Sequence, residues 1–104
     1  MTPTLPPAIA RYVAAKNRQD IDAMLACFAP DGRVHDEGRE HVGPAAIRAW
    51  LEQTTRDYRP TVVPEGFADG VMTGLVSGDF PGSPVRLSYR FTLSDAGIAR
   101  LEIG

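Results

Sequence analysis

Apolar side chains recur at helical spacing near the start of the chain. Ile9, Tyr12, Val13 and Lys16 occupy positions i, i+3, i+4 and i+7, a spacing that puts them on one face of an α-helix. The Pro6-Pro7 pair precedes them, and proline suits a helix start because its missing N–H would be unpaired there anyway. The pattern predicts a first helix over about 7–18.

Two further segments repeat this spacing. Asp20 is a good N-cap, and it stands before an apolar stripe that predicts a second helix reaching to Pro30: Ile21, Met24, Leu25 and Phe28. Gly43-Pro44 opens a third helix, which runs to about Tyr58 and has Trp50 on its core face. His41 is predicted to lie in the loop before this third helix.

The second half of the chain changes to the alternation that is typical of β-strands. Four strand-like segments are separated by turn residues such as Asp69-Gly70, and they read RPTVVPEGF, VMTGLVSGDF, VRLSYRFTL and IARLEI. A short strand over 33–37 is also predicted, with Val34 and Asp36 on one face. Helices followed by a strand meander predict an α+β domain with a mostly antiparallel sheet.

Tyr89 lies on the apolar face of its strand, because successive side chains of a strand point to opposite sides. A buried phenol hydroxyl needs a hydrogen-bond partner. That partner is either another group of the core or a bound ligand, and the alternation alone leaves both readings open.

Composition narrows the class of protein. The chain has 104 residues, 43% hydrophobic and 23% charged, which fits a single domain over 1–104. The net charge of -2 is spread without a basic patch, so nucleic acid is not an expected partner. No segment has the roughly 20 apolar residues of a membrane helix. Cys27 is the only cysteine, so we expect a cytoplasmic protein without a disulfide. No Cys and His spacing typical of a metal site occurs, and we expect neither a metal nor another cofactor.

Two segments resemble a known family. They are residues 10–38, ARYVAAKNRQDIDAMLACFAPDGRVHDEG, and residues 42–50, VGPAAIRAW. Their motifs are similar to those of the SnoaL-like and ketosteroid isomerase-like branch of the nuclear transport factor 2 superfamily. The resemblance implies a cystatin-like fold, in which a cone-shaped, curved sheet packs against three N-terminal helices and leaves a pocket between them.

The same resemblance implies roles for individual residues. Asp36 falls on the general base of isomerase-like members, and Tyr12 falls on their oxyanion-donating tyrosine. Tyr89 aligns with a second donor, which is an aspartate in those enzymes. The structural alternatives are a turn-forming Asp36 and core positions for both tyrosines. Other aromatic side chains are expected as ligand-binding pocket wall or plain core: Trp50, Phe28 and Tyr58.

Two functions from different classes follow. The first is a binding domain for a small apolar molecule, such as a cyclic or ketone-like compound, that forms a homodimer through the outer sheet face with Arg86, Ser88 and Arg90. The alternative is a cofactor-independent isomerase or cyclase that uses Asp36 as base and Tyr12 as oxyanion donor. The sequence stops at Gly104, soon after the last strand, and we take this to favour the binding domain.

Overall fold

The computed structural model describes residues 3–104. Three helices and six strands follow one another along the chain. In chain order they are α1 (Pro7–Asn17), α2 (Ile21–Ala26), β1 (Phe28–Asp36), β2 (Arg39–Val42), α3 (Pro44–Tyr58), β3 (Thr61–Ala68), β4 (Val71–Ser77), β5 (Val85–Ser94) and β6 (Gly97–Ile103).

The strands form one sheet in the order β2-β1-β6-β5-β4-β3. The pairing of β1 with β6 is parallel, and the other four pairings are antiparallel. Three of these pairings contain a register shift, and such irregularities bend and twist a sheet. The result is the predicted α+β fold, with a curved, mostly antiparallel sheet and three helices.

The helices pack on the concave side of the sheet, with α1 touching β3 and β6 and α3 touching β1 and β2. Between the layers lies a core of fully buried side chains from both, since each layer has only one apolar face to cover. The core includes Ile9, Met24, Val34, Ile47, Leu51, Val62, Met72, Ile98 and Leu101.

The predicted end of the second helix at Pro30 is wrong. The helix stops at Ala26, because the carbonyl of Cys27 accepts a hydrogen bond from Ile98 N–H at 2.8 Å and the chain then joins β6. A Cβ at Gly97 would lie 2.6 Å from the Cys27 oxygen, and Gly97 has φ of 125°. Glycine therefore permits the close approach that ends the helix.

The predicted short strand over 33–37 is also too short. β1 begins at Phe28, and a two-residue turn joins it to β2, with Glu37 at φ 52° and Gly38 at φ 75°. Two left-handed residues are the mark of a tight hairpin turn. His41 consequently lies on β2, not in a loop, and pairs with Val34.

None of the described helices combines the length and the apolar character that crossing a membrane would need.

Candidate functional site

A cavity of about 300 Å³ opens between the helices and the concave face of the sheet. Its wall is mostly apolar, and its charged lining residues are one lysine, one aspartate and one glutamate. The lining residues are Lys16, Asp36, Glu37, Trp50, Thr54, Tyr58, Pro60, Val76, Phe80, Pro81, Val85, Leu87, Tyr89 and Ile103.

Asp36 reaches this cavity from the last position of β1, on the same side of the strand as buried Val34. Its Oδ2 accepts a hydrogen bond from Trp50 Nε1 at 3.1 Å. The Trp50 indole in turn stacks on the His41 imidazole, with ring centroids 5.9 Å apart. The hydrogen bond from Trp50 fixes one carboxylate oxygen of Asp36. Asp36 also lines an adjoining cavity of about 250 Å³, whose wall includes Arg39 and His41.

Tyr58 and Phe80 close another side of the cavity, with their rings edge to face at 6.0 Å. The helix α3 ends here because Arg59 adopts a left-handed conformation, with φ of 42°. Arg59 then forms an ion pair with Asp79 at 2.8 Å, and Asp79 N–H donates to the Tyr58 carbonyl at 2.7 Å. These contacts hold Phe80, which follows the end of β4, against the helix.

Tyr89 lies in the middle of β5, between Met72 of β4 and Ile103 of β6. Its side chain lines the cavity and is only 2% exposed. Burial raises the pKa of the Tyr89 phenol, and the negative charge of Asp36 raises it further. Tyr89 is therefore a neutral phenol at ordinary pH, which is the form that can donate a hydrogen bond.

Tyr12 and Phe28 are not among the lining residues and lie in the core, with their rings edge to face at 5.7 Å. Tyr12 is fully buried, and its hydroxyl has no hydrogen-bond partner among residues 3–104. Burial raises the pKa of Tyr12 well above its ordinary value, and Tyr89, Asp36 and Cys27 add to the effect. Of the six predicted site residues, the structure therefore brings Asp36, Trp50, Tyr58 and Tyr89 together at the cavity.

Lys16 also lines the cavity, and the sequence reasoning did not select it as a site residue. It lies in the last turn of α1 and is 6% exposed. The next residue, Asn17, anchors this turn to the edge strand β3. Its Nδ2 donates to Val62 O at 2.9 Å, and its Oδ1 accepts from Val62 N–H at 2.8 Å. The sequence signal that could have identified Lys16 as a site residue is its position on the apolar stripe of the first helix.

The Lys16 amine lies near two aromatic rings, with Nζ 6.0 Å from the ring centroids of both Tyr12 and Tyr89. Desolvation by burial lowers the pKa of Lys16 to about 8, although the negative charge of Asp36 acts in the opposite direction. A lysine with such a pKa exchanges protons near neutral pH.

Taken together, Asp36, Tyr89 and Lys16 supply an acceptor, a donor and a titratable amine inside an apolar wall. Such a set can orient an oxygen-bearing molecule and move a proton at it. Among the described residues, no group of three or more His, Cys, Asp or Glu side chains is arranged to hold a metal ion.

Comparison with known proteins identifies the family. The model of the SnoaL-like domain matches residues 9–100. A provisionally named polyketide cyclase from Sinorhizobium meliloti is 42% identical, with 96% of this chain and 95% of that chain covered and a TM-score of 0.90. A search of curated proteins finds no match.

Two more distant solved structures share the fold and contain small molecules. A hypothetical protein from Catenulispora acidiphila, with a ketosteroid isomerase-like fold, is in complex with trimethylamine (19% identity, 97% and 86% coverage, TM-score 0.83). A Mycobacterium tuberculosis protein is in complex with estradiol-17β-hemisuccinate (17% identity, 92% and 88% coverage, TM-score 0.78). The family model spans most of the chain and the Sinorhizobium protein is similar over nearly its whole length, so the chain belongs to the SnoaL-like domain family.

Proposed function

We propose that this protein binds a small, mostly apolar molecule with an oxygen-bearing polar group in the cavity between sheet and helices. The observation that carries the proposal is the cavity of about 300 Å³, in which an apolar wall surrounds Lys16, Asp36 and Tyr89. Ligand sites are commonly concave, mainly apolar and equipped with a few convergent polar groups. The apolar wall would cover the ligand's hydrocarbon body, and the polar groups would set its orientation.

Two solved structures with the same fold support a small organic ligand. The Mycobacterium tuberculosis protein is seen with an estradiol ester and the Catenulispora acidiphila protein with trimethylamine. Both share the fold with this chain, which supports a small organic ligand for it, and the estradiol ester has the proposed apolar body with oxygen-bearing groups. We choose 1-tetralone, a bicyclic ketone, as a probe because it has an apolar body, one carbonyl oxygen and an enolisable carbon.

Leu87→Glu should weaken 1-tetralone binding at least about 30-fold, because the new carboxylate would have to be desolvated against the apolar ligand at a cost of roughly 2 kcal/mol. Leu87 lines the cavity from β5. Trp50 is the only tryptophan and also lines the cavity, so quenching of its fluorescence measures binding directly.

Ala10→Glu is the matched control, since Ala10 is exposed on α1 and does not line the cavity. It should bind 1-tetralone as the parent does. A parent protein whose Trp50 fluorescence does not saturate with 1-tetralone, or an equal loss in both variants, would contradict binding in this cavity.

A second candidate function is proton transfer at a carbon next to a carbonyl group. The observation that favours it is the Asp36 carboxylate, which lines the cavity and has one oxygen held by Trp50. In this reaction Asp36 would take the α-proton, and a donor such as Tyr89 would stabilise the charge that forms on the carbonyl oxygen. The 42% identical Sinorhizobium meliloti protein, a provisionally named polyketide cyclase, supports this class of chemistry.

We also propose a homodimer that forms through the outer face of the sheet. Ser77, Arg86, Ser88 and Arg90 are exposed on β4 and β5, and a mixed polar face of this kind suits a hydrated interface. Light scattering across micromolar concentrations should return twice the chain mass of 11.3 kDa. A constant monomer mass would argue against the dimer, and Ser88→Arg should shift a true dimer toward monomer, because it adds like charge to a face that already presents Arg86 and Arg90.

A cytoplasmic location is proposed from the chemistry of Cys27. It has no second cysteine to pair with, its Sγ donates to the Ala23 carbonyl at 3.3 Å, and burial raises the pKa of its thiol. An unreactive single thiol is compatible with a reducing compartment. Fractionation of the cells that produce the protein would test this location.

A further inference from the structure

Lys16 is the only lysine in the chain, and the other ten basic residues are arginines. The seven ion pairs found among residues 3–104 are all formed by arginine, and Lys16 takes part in none of them. The single primary amine on a side chain is thus buried at the cavity wall, while the surface cations are guanidinium groups. Burying a cation without a paired carboxylate is unfavourable, so its position needs a functional explanation.

The groups that face the amine define its chemistry. Its Nζ lies 6.0 Å from the ring centroids of Tyr12 on α1 and Tyr89 on β5. The other titratable residues of the cavity are Asp36 at the end of β1, Glu37 in the turn that follows, and Tyr58 at the end of α3. The charge of Asp36 acts on Lys16, although the two do not form an ion pair.

We propose that the Lys16 amine forms an imine with the carbonyl carbon of an aldehyde or ketone bound in this cavity. The inference rests on the proposed ligand binding and names the class of ligand. Three observations support it: the amine is buried in an apolar wall, it has no ion-pair partner among the described residues, and a carboxylate lines the same cavity.

The step balances without an oxidant or a reductant. The lone pair of the neutral amine attacks the carbonyl carbon, and the C=O π electrons move to the oxygen, which takes up a proton. The positively charged nitrogen of the adduct then releases one proton, which gives the neutral carbinolamine. The hydroxyl oxygen takes up a second proton and leaves as water while the nitrogen lone pair forms the C=N bond, and the nitrogen releases its remaining proton, so that two protons leave the nitrogen and two depart with the oxygen. Asp36, one of the two carboxylate residues that line the cavity, would carry protons between the nitrogen and the departing oxygen.

The lowered pKa of Lys16, about 8, supplies the reactive form. At pH 7.5 about a quarter of such amines are neutral, compared with about 0.1% for an ordinary lysine. Arginine could not replace Lys16 here, because its guanidinium stays protonated.

The test uses 3-phenylpropanal as ligand and sodium cyanoborohydride to reduce the imine to a stable amine. Trypsin cleaves after lysine and arginine, so an alkylated Lys16 leaves residues 12–18 as one peptide, YVAAKNR plus the adduct. We expect the rate of labelling at Lys16 to saturate with aldehyde concentration and to exceed the rate at the terminal α-amine at least tenfold. The terminal amine is an internal control within the same unmodified protein.

Two further measurements make the outcome decisive. The alcohol 3-phenylpropan-1-ol cannot form an imine, so quenching of Trp50 fluorescence by this alcohol measures binding alone. Binding of the alcohol together with labelling at Lys16 that is unsaturated and no faster than at the terminal amine would overturn the imine and leave the proposed function intact. Failure of the alcohol to bind would overturn both. Lys16→Met should lose the adduct on peptide 12–18, while labelling at the terminal amine should continue at the parent rate.

Discussion

Replacing Asp36 by Asn should slow catalysed hydrogen–deuterium exchange at the carbon beside the carbonyl of 1-tetralone by at least about 1,000-fold, within the range that a positioned general base contributes. Asp36 lines the cavity from the end of β1, and its carboxylate is the group that would take the α-proton. Proton NMR in D₂O measures the exchange directly, with protein-free buffer as the baseline.

Asparagine is a suitable replacement because its side-chain oxygen can still accept the hydrogen bond that Trp50 Nε1 donates to Asp36 at 3.1 Å. We therefore expect 1-tetralone binding and thermal stability to change little. Exchange in the parent at the buffer rate, or equal exchange in the parent and Asp36→Asn, would exclude the proton-transfer function and leave ligand binding standing.

Tyr12→Phe distinguishes two roles for the Tyr12 hydroxyl, oxyanion donor or core group, in the same exchange assay. A hydroxyl that donates to the ligand's oxyanion would make the variant about 100-fold slower. A core hydroxyl without a partner would leave exchange unchanged and raise the free energy of unfolding by about 1 kcal/mol, since an unpaired buried polar group is removed. The full burial of Tyr12 and its unpartnered hydroxyl favour the second result.

Local sequence signals predicted the helix starts correctly where a proline marks them. The helices α1 and α3 begin at Pro7 and Pro44 as predicted, because proline at the first helical position acts through its own backbone geometry. The predicted end of α2 was wrong because the contact that ends this helix involves a distant part of the chain. Its stop depends on Gly97 and the start of β6, about 70 residues away, and no local pattern contains that contact.

The placement of Asp36 and Tyr89 on the cavity side could be read from strand alternation, since each shares a face with buried neighbours, Val34 and Phe91. Helical spacing was less informative. A stripe on α1 contains both Tyr12, in the core, and Lys16, at the cavity. Periodicity identifies the buried face of a helix but cannot show where the opposing sheet curves away and leaves a cavity.

Lys16 escaped the sequence reasoning because long cationic side chains often lay their stems along apolar surface and keep the charge in water. A lysine at the end of an amphipathic stripe is therefore usually read as a boundary residue. Here the curvature of the sheet and the anchoring of Asn17 to Val62 enclose the amine.

Lys16→Met should raise the free energy of unfolding at pH 7 by roughly 3 kcal/mol and remove the contribution of Lys16 that rises between pH 7 and 9.5. The pKa of Lys16 is lowered to about 8 in the folded protein, against 10.5 for an unperturbed lysine. Between these values the unfolded chain binds a proton that the folded chain has released, so the parent gains stability as pH rises through this window. Below pH 8 the parent bears the full cost of a buried charge, which methionine avoids at similar length.

Urea denaturation followed by Trp50 fluorescence, at intervals from pH 6.5 to 9.5, measures this difference. Other groups titrate equally in the parent and the variant. In both, the raised pKa of Cys27 lowers stability from about pH 8.5, where an unfolded thiol ionises. The raised pKa values of Tyr12 and Tyr89 lower it only above about pH 10, where unfolded tyrosines ionise. The quantity to follow is therefore the stability of Lys16→Met minus that of the parent, which should shrink steadily above pH 8. A difference that stays constant across the range would show that the cavity holds the ammonium as well as water does. A difference that shrinks as expected would mean that the chain keeps its one lysine at a cost in stability, as proteins do at sites that serve function.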